Sequence, residues 1–286
     1  MAWTNPTSRA AGAVLAVAVG AACAGCGSDD SSSAGPTTTP AADSTYPSSV
    51  VVIGHSGTTG FGSDPDNPMA DILENSWATG TNPEVDSIYQ RVVAENPAAQ
   101  GHVANFGVDG SDVTSLPDQA TQAADVTPAP ELVLIQSVDN DIQCDGTDPQ
   151  NFAPYRHQLT AVMDQLTSDL PDAEIFFVSQ WASVKEYDRL VMKIDRGHIA
   201  GTGPCDTYNL ESKRLDPKRE RYLQRLVDRY WGIVTSVCGR YEHCRTDDGL
   251  MQTMKLDRGD LATDMNHLSV AGHHKMAALV WQALYG

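Results

Sequence analysis

Short runs of aliphatic residues recur along this chain, separated by longer stretches whose apolar positions fall three and four apart. Val50-Val51-Val52-Ile53 is unbroken by polar residues and bounded by turn formers, the mark of a strand buried on both faces. Similar runs over 102–106, 131–136 and 174–180 predict three more strands, and 241–246, just before Asp247-Asp248-Gly249, a fifth. Helical spacing predicts helices over 86–96 and over 153–168, where Leu159, Val162, Met163 and Leu166 share a face. Residues 217–237 read as a longer amphipathic helix opened by Pro217. A last helix over 269–284 is capped by Ser269 and carries Met276, Leu279, Val280 and Leu284 on one stripe. Strands alternating with helices imply one α/β domain over 49–286, its mainly parallel sheet covered on both faces.

The first 48 residues follow other rules. Arg9 precedes an apolar run over 10–22 whose length and small residues suit the hydrophobic part of a signal peptide. The run is too short for a comfortable membrane span. It ends in Cys23-Ala24-Gly25-Cys26, which resembles a bacterial lipoprotein cleavage site, with Cys23 where Leu is usual. Cutting before Cys26 would leave that cysteine carrying lipid; plain secretion is the alternative. Residues 26–48, rich in Ser, Thr and Pro, read as a disordered tether between membrane and domain.

Charge narrows the partners. With 19 Lys and Arg against 37 Asp and Glu, the chain lacks the basic surface that nucleic acid requires. The Lys- and Arg-rich stretch over 213–229 alternates with acids and reads as a solvated helix face. With Cys23 removed and Cys26 lipidated, Cys144, Cys205, Cys238 and Cys244 remain. Four cysteines in an exported domain suggest two disulfides in one of three pairings. Cys238 and Cys244 are nearest in sequence, which would leave Cys144 with Cys205. The alternative, a metal bound by Cys238, His243 and Cys244, lacks the paired spacing of zinc sites, and no metal or cofactor is expected.

In such sheets ligands bind beyond the carboxyl ends of the strands. His55-Ser56, 107–110 and 139–141 each follow a predicted strand directly, so three polar, turn-rich segments converge on one rim. Near the other end, Asp264-Met265-Asn266-His267 puts a carboxylate and an imidazole three residues apart, before a helix. Together the segments supply the nucleophile, base and orienting acid of acyl transfer.

The pattern resembles the SGNH hydrolases, also called GDSL, a superfamily of esterases and lipases, through four blocks spread over residues 49–286. Gly54-His55-Ser56 stands for Gly-Asp-Ser, Asn105 to Gly110 for an Asn-rich turn, Val138-Asp139-Asn140-Asp141 for Gly-x-Asn-Asp, and Asp264 to His267 for Asp-x-x-His. The resemblance implies a three-layer α/β/α sandwich on a five-stranded, flavodoxin-like sheet. It implies Ser56 as nucleophile, His267 as base and Asp264 as orienting acid. The oxyanion would be held by the N–H groups of Ser56 and Gly110, with Gly107 the alternative, and by the side-chain amide of Asn140. His55 and Val138 depart from the pattern.

The expected activity is hydrolysis of a carboxylic ester through an acyl-enzyme, by an exported, lipid-anchored or secreted protein. The substrate is a lipid ester, a short or medium acyl ester, or the O-acetyl group of a glycan. The alternative is a catalytically degenerate relative that binds glycan or lipid at the cell surface. Trp77 is expected to pack, with substrate lining the alternative, and His273-His274 to lie partly solvated on the last helix.

Overall fold

The computed structural model describes residues 44–286. The expected signal peptide, the Cys26 lipidation site and most of the tether lie outside the described residues. Chain order is β1 (Val50–Gly54), α1 (Ser56–Thr59), α2 (Ile88–Glu95), β2 (Val103–Asn105), α3 (Leu116–Ala124), β3 (Leu132–Gln136) and α4 (Asp148–Asp169). It continues with β4 (Glu174–Val178), α5 (Val184–Ile194), β5 (Ala200–Gly201), β6 (Tyr208–Asn209), β7 (Arg214–Leu215), α6 (Pro217–Cys238), β8 (Cys244–Thr246) and α7 (Val270–Tyr285).

Five strands form one sheet in the order β2-β1-β3-β4-β8, every neighbouring pair parallel. The side-chain period of two sorts each strand between two cores. Val51, Ile53, Val133 and Ile135 point toward α3, α4 and α6; Val50, Val52, Leu132 and Leu134 point toward α2, α5 and α7. Burial on both faces explains why these strands read as continuous apolar runs. The order reverses between β1 and β3, which opens a crevice beyond their carboxyl ends. The expected five-stranded α/β sandwich is therefore the observed fold.

Helices α1, α3 and α5 and a small sheet have no counterpart among the predicted elements. Helix α5 opens at Ser183, whose hydroxyl accepts from the Glu186 N–H, a start signal legible in Ser183-x-x-Glu186. Helix α4 starts before the predicted 153, at Asp148, whose buried carboxylate accepts from the N–H groups of Gln143 and Cys144. Strands β5 to β7 are two residues each, too short for any period to show.

The last residues of the segment predicted as a tether, 26–48, pack on the domain. Tyr46 stacks on Trp281 at 5.6 Å and meets Tyr285 at 4.9 Å. Asn96 donates to the Tyr46 and Pro47 carbonyls, and Ser48 donates from both its N–H and its hydroxyl to Glu131. Residues 46–48 thus belong to the domain, because aromatic stacking and a buried amide anchor them.

Cysteines 144 and 205 are joined across 61 residues, and cysteines 238 and 244 across 6. The second bond removes Cys238 and Cys244 from any metal site. Closure entropy grows with loop length, so replacing Cys144 and Cys205 by Ala should cost about 4 kcal/mol and the other pair about 2 kcal/mol. Denaturant unfolding of the two double variants checks the order.

Candidate active site

The turn that carries Ser56, the candidate nucleophile, is built at the end of β1. Gly54 holds φ +147°, and a Cβ there would come within 2.2 Å of the Gln136 carbonyl oxygen. Only glycine lets β1 run this close to β3 and still turn. The Gln119 amide clamps the same residue, its oxygen accepting from the Gly54 N–H at 2.6 Å and its nitrogen donating to the Gly54 carbonyl at 3.0 Å. Ser56 then opens α1, whose N-cap is His55, the Nδ1 accepting from the Gly57 N–H at 3.0 Å. Trp77 is fully buried and donates from its indole to the Gly57 carbonyl at 3.0 Å. It packs beneath the turn and does not line a substrate channel.

Asp264 and His267 arrive from the loop before α7. The Ala262 N–H donates to the His267 carbonyl, closing the loop, and the Tyr187 hydroxyl donates to the Met265 carbonyl from α5. One Asp264 oxygen accepts from the N–H groups of Asn266 at 2.9 Å and His267 at 3.0 Å, the other from His267 Nδ1 at 2.6 Å. Burial would raise the Asp264 pKa, but the bonds from the His267 ring and the loop N–H groups, with the ring's charge, outweigh it and hold the carboxyl low. With Nδ1 hydrogen-bonded to the Asp264 carboxylate, His267 turns Nε2 to the Ser56 hydroxyl at 2.8 Å. Phe61 covers the imidazole, ring centroids 4.7 Å apart. Residues 56, 264 and 267 thus form one hydrogen-bonded chain across 211 residues of sequence.

The two candidate oxyanion glycines differ sharply. The Gly107 N–H is bonded to the Asn105 side chain at 3.0 Å, and a Cβ at Gly107 would come within 2.0 Å of Thr58 Oγ1. Gly107 is a packing glycine. Neither Ser56 nor Gly110 has a partner for its N–H among the described residues, and Gly110 lies exposed at φ +68°. The Asn140 amide donates to the Ser111 carbonyl at 2.8 Å, which ties the third segment to the second and leaves the other amide hydrogen uncommitted.

Both departures have structural consequences. His55 Nε2 faces Asp139 Oδ2 at 3.7 Å. Burial lowers the His55 pKa to about 3 and raises that of Asp139 to about 7, so the pair meets neutral or nearly so rather than as a salt bridge. Val138 sits at φ +101°, a conformation costly for a β-branched residue and natural to the glycine it replaces. Its side chain is repaid by burial in the core against α4. His273, expected on the surface, is 1% exposed, and burial lowers its pKa to about 3; the α7 stripe is wider than the sequence suggested.

No protein-family model and no curated protein matches the sequence. Solved structures do. One described as a GDSL-like lipase from Parabacteroides merdae matches at TM-score 0.50 and 14% identity, over 82% of this chain and 95% of that one. TesA matches at TM-score 0.48 and 13% identity, over 83% and 98%. An acetyl xylan esterase matches at 0.47 and 14%, over 82% and 99%. The structural neighbours are GDSL-like lipases and esterases, and what the first of them shares with this chain is its fold.

Two outcomes follow from this geometry. Gly107→Ala forces a methyl into Thr58 and should destabilise the domain by about 3 kcal/mol, whereas Gly110→Ala meets open space and should cost about 1 kcal/mol for its left-handed φ. Urea midpoints of the two variants compare them. The folded state holds the Asp139 proton up to about pH 7, whereas an unfolded aspartate releases it near 3.8. Stability from this group is therefore present below pH 3.8 and falls as pH rises toward 7. Asp139→Asn should flatten that fall by up to about 1.4 kcal/mol per pH unit, read from stability curves between pH 4 and 7.

Proposed function

We propose that this protein is a serine esterase of the SGNH type, exported and held at the membrane by lipid on Cys26. The observation that carries the reading is the Ser56–His267–Asp264 hydrogen-bond chain, at 2.8 and 2.6 Å, on the rim where an α/β sheet binds ligands. Two disulfides fit an oxidising compartment, and no helix among the described residues is long and apolar enough to cross a membrane.

In this mechanism Ser56 Oγ attacks the ester carbonyl carbon while His267 Nε2 takes the hydroxyl proton. Asp264 keeps the imidazole in the required tautomer and stabilises its cation. The N–H groups of Ser56 and Gly110 and the free Asn140 amide hydrogen receive the charge that develops on the carbonyl oxygen. The C–O bond to the alcohol then breaks, and His267 returns the proton to the leaving oxygen. Water, deprotonated by His267, attacks the acyl-enzyme; the acid leaves and the proton goes back to Ser56.

His55 does not disqualify the site. Its neutral ring takes over the capping bond that an aspartate could make, without adding a charge beside His267. A degenerate binding protein would have no need for the Asp264–His267–Ser56 alignment, whose two segments are held separately, one by Gln119 at Gly54 and the other by Tyr187 at Met265. Ser56→Ala should lower p-nitrophenyl acetate hydrolysis by about 10⁴-fold or more with the circular dichroism unchanged. Wild-type turnover in that variant would remove the mechanism.

A further inference from the structure

Beside the proposed oxyanion donors lies a cavity of about 440 Å³, within the range of about 300–1,000 Å³ typical of small-molecule sites. The same two loops build both. Gly110 and Ser111 lead directly into Asp112, Val113 and Thr114, and Asn140 leads into Asp141 and Gln143. Two bonds lock these loops together, Asn140 to the Ser111 carbonyl at 2.8 Å and the Val113 N–H to Asp141 Oδ1 at 3.0 Å. Any shift of the cavity wall is therefore a shift of the oxyanion side of the site.

The lining is unusual for an acyl-chain tunnel. Thr114, Gln143, Thr147, Asn151 and Gln158 contribute hydroxyls and primary amides, and Asp112 and Asp141 contribute carboxyls. Tyr155 and Tyr230 add two aromatic rings, with Val113 and Pro154 as the apolar side chains beside them. The floor is Asp141, 8% exposed, whose Oδ2 has no partner and whose carbonyl accepts from the Tyr230 hydroxyl at 3.0 Å. Thr114, Gln143, Thr147 and Asn151 each have a protein partner, but a hydrocarbon chain here would leave the buried Asp141 Oδ2 without one. An anion such as a phospholipid headgroup would meet two carboxyls and no cationic side chain. An ammonium group could satisfy the carboxyls, but it only donates and offers no acceptor to the Gln158 amide. Sugar hydroxyls both donate and accept, and a sugar ring presents the C–H face that tyrosine rings stack against.

We propose that this cavity binds a sugar ring of the ester substrate, which makes the protein a deacylase of O-acylated glycans rather than a lipase. The inference rests on the ester-hydrolase reading for its chemistry, but the sugar site stands on its own residues. It needs no contact from the Ser56, His267 and Asp264 side chains.

The test compares esters that share an acetyl group. Wild-type kcat/KM for mono-O-acetylated methyl glucoside and methyl xyloside should exceed that for ethyl acetate at least tenfold. Gln158→Leu and Asn151→Leu, on the partly exposed rim of α4, should each cut that ratio at least fivefold through KM with the melting temperature unchanged. A ratio near one in the wild type, a ratio insensitive to both variants, or a preference for glyceryl tributyrate overturns the sugar site. Unacylated xylotriose and methyl glucoside, titrated into Ser56→Ala and followed by saturation-transfer NMR, read the cavity without catalysis. Binding there that is lost in Ser56→Ala/Gln158→Leu, with no ester hydrolysed by the wild type, would keep the sugar site and remove the esterase. Absence of binding with ester hydrolysis intact would do the reverse.

Discussion

Where β1 passes Gln136, the chain has room for a backbone and nothing more. Gly54 lies so close to the Gln136 carbonyl that any Cβ would collide with it, and its own N–H and carbonyl are both taken by the Gln119 amide. The rest of the site inherits its position from this passage. Ser56 is two residues on, the Ser111 hydroxyl also donates to the Gly54 carbonyl at 2.8 Å, and Asn140 in turn holds the Ser111 carbonyl. One glycine at the switch point of the sheet thus fixes the first, second and third segments relative to one another. The fourth segment is held separately, by Tyr187 and by the bridge between Leu261 and Leu268, and is brought to Ser56 by the packing of α7.

The site is rich in carboxyls and yet carries little charge where they are most buried. Burial raises Asp139 and Asp141 to about 7, and burial with the Asp71 carboxylate beside it raises Asp109 to about 7. Asp264 is the exception. Burial disfavours its charge too, but a histidine ring and two N–H groups outweigh that, so it stays ionised beside the imidazole. Two environments thus separate the carboxylate suited to orient the imidazole from those that merely fill the rim. His55 fits the same logic: a buried neutral ring keeps a second anion away from Asp139.

What could be read from the sequence was local or periodic. Val50 to Ile53 and Leu132 to Ile135 declare themselves because burial on both faces demands unbroken apolar runs. Ser56, Asp264 and His267 are legible as types and order, since proton transfer permits few substitutes. The supports are not legible. Gln119 reaches Gly54 across 65 residues, Trp77 reaches Gln136 across 59, and Phe61 meets His267 from a loop with no period at all. A buried glutamine clamp and a loop serine or glutamine look alike in a sequence, because what distinguishes them is the partner. The choice between Gly107 and Gly110 was of this kind. Both are turn glycines on paper, and the Thr58 hydroxyl pressed against one of them separates packing from opening.

The anchored residues ahead of β1 bear on how the rim is presented. Ser48 is held by Glu131 and Tyr46 by Trp281 and Tyr285, groups that lie before β3 and at the end of α7. Ser56, by contrast, follows the carboxyl end of β1, and a strand of five residues spans about 16 Å. Residue 46 therefore joins the domain at the end of the sheet opposite the rim that carries Ser56. The amino ends of the strands thus carry the packed residues 46–48, and the carboxyl ends are left to the loops that bear Ser56, Gly110 and Asn140.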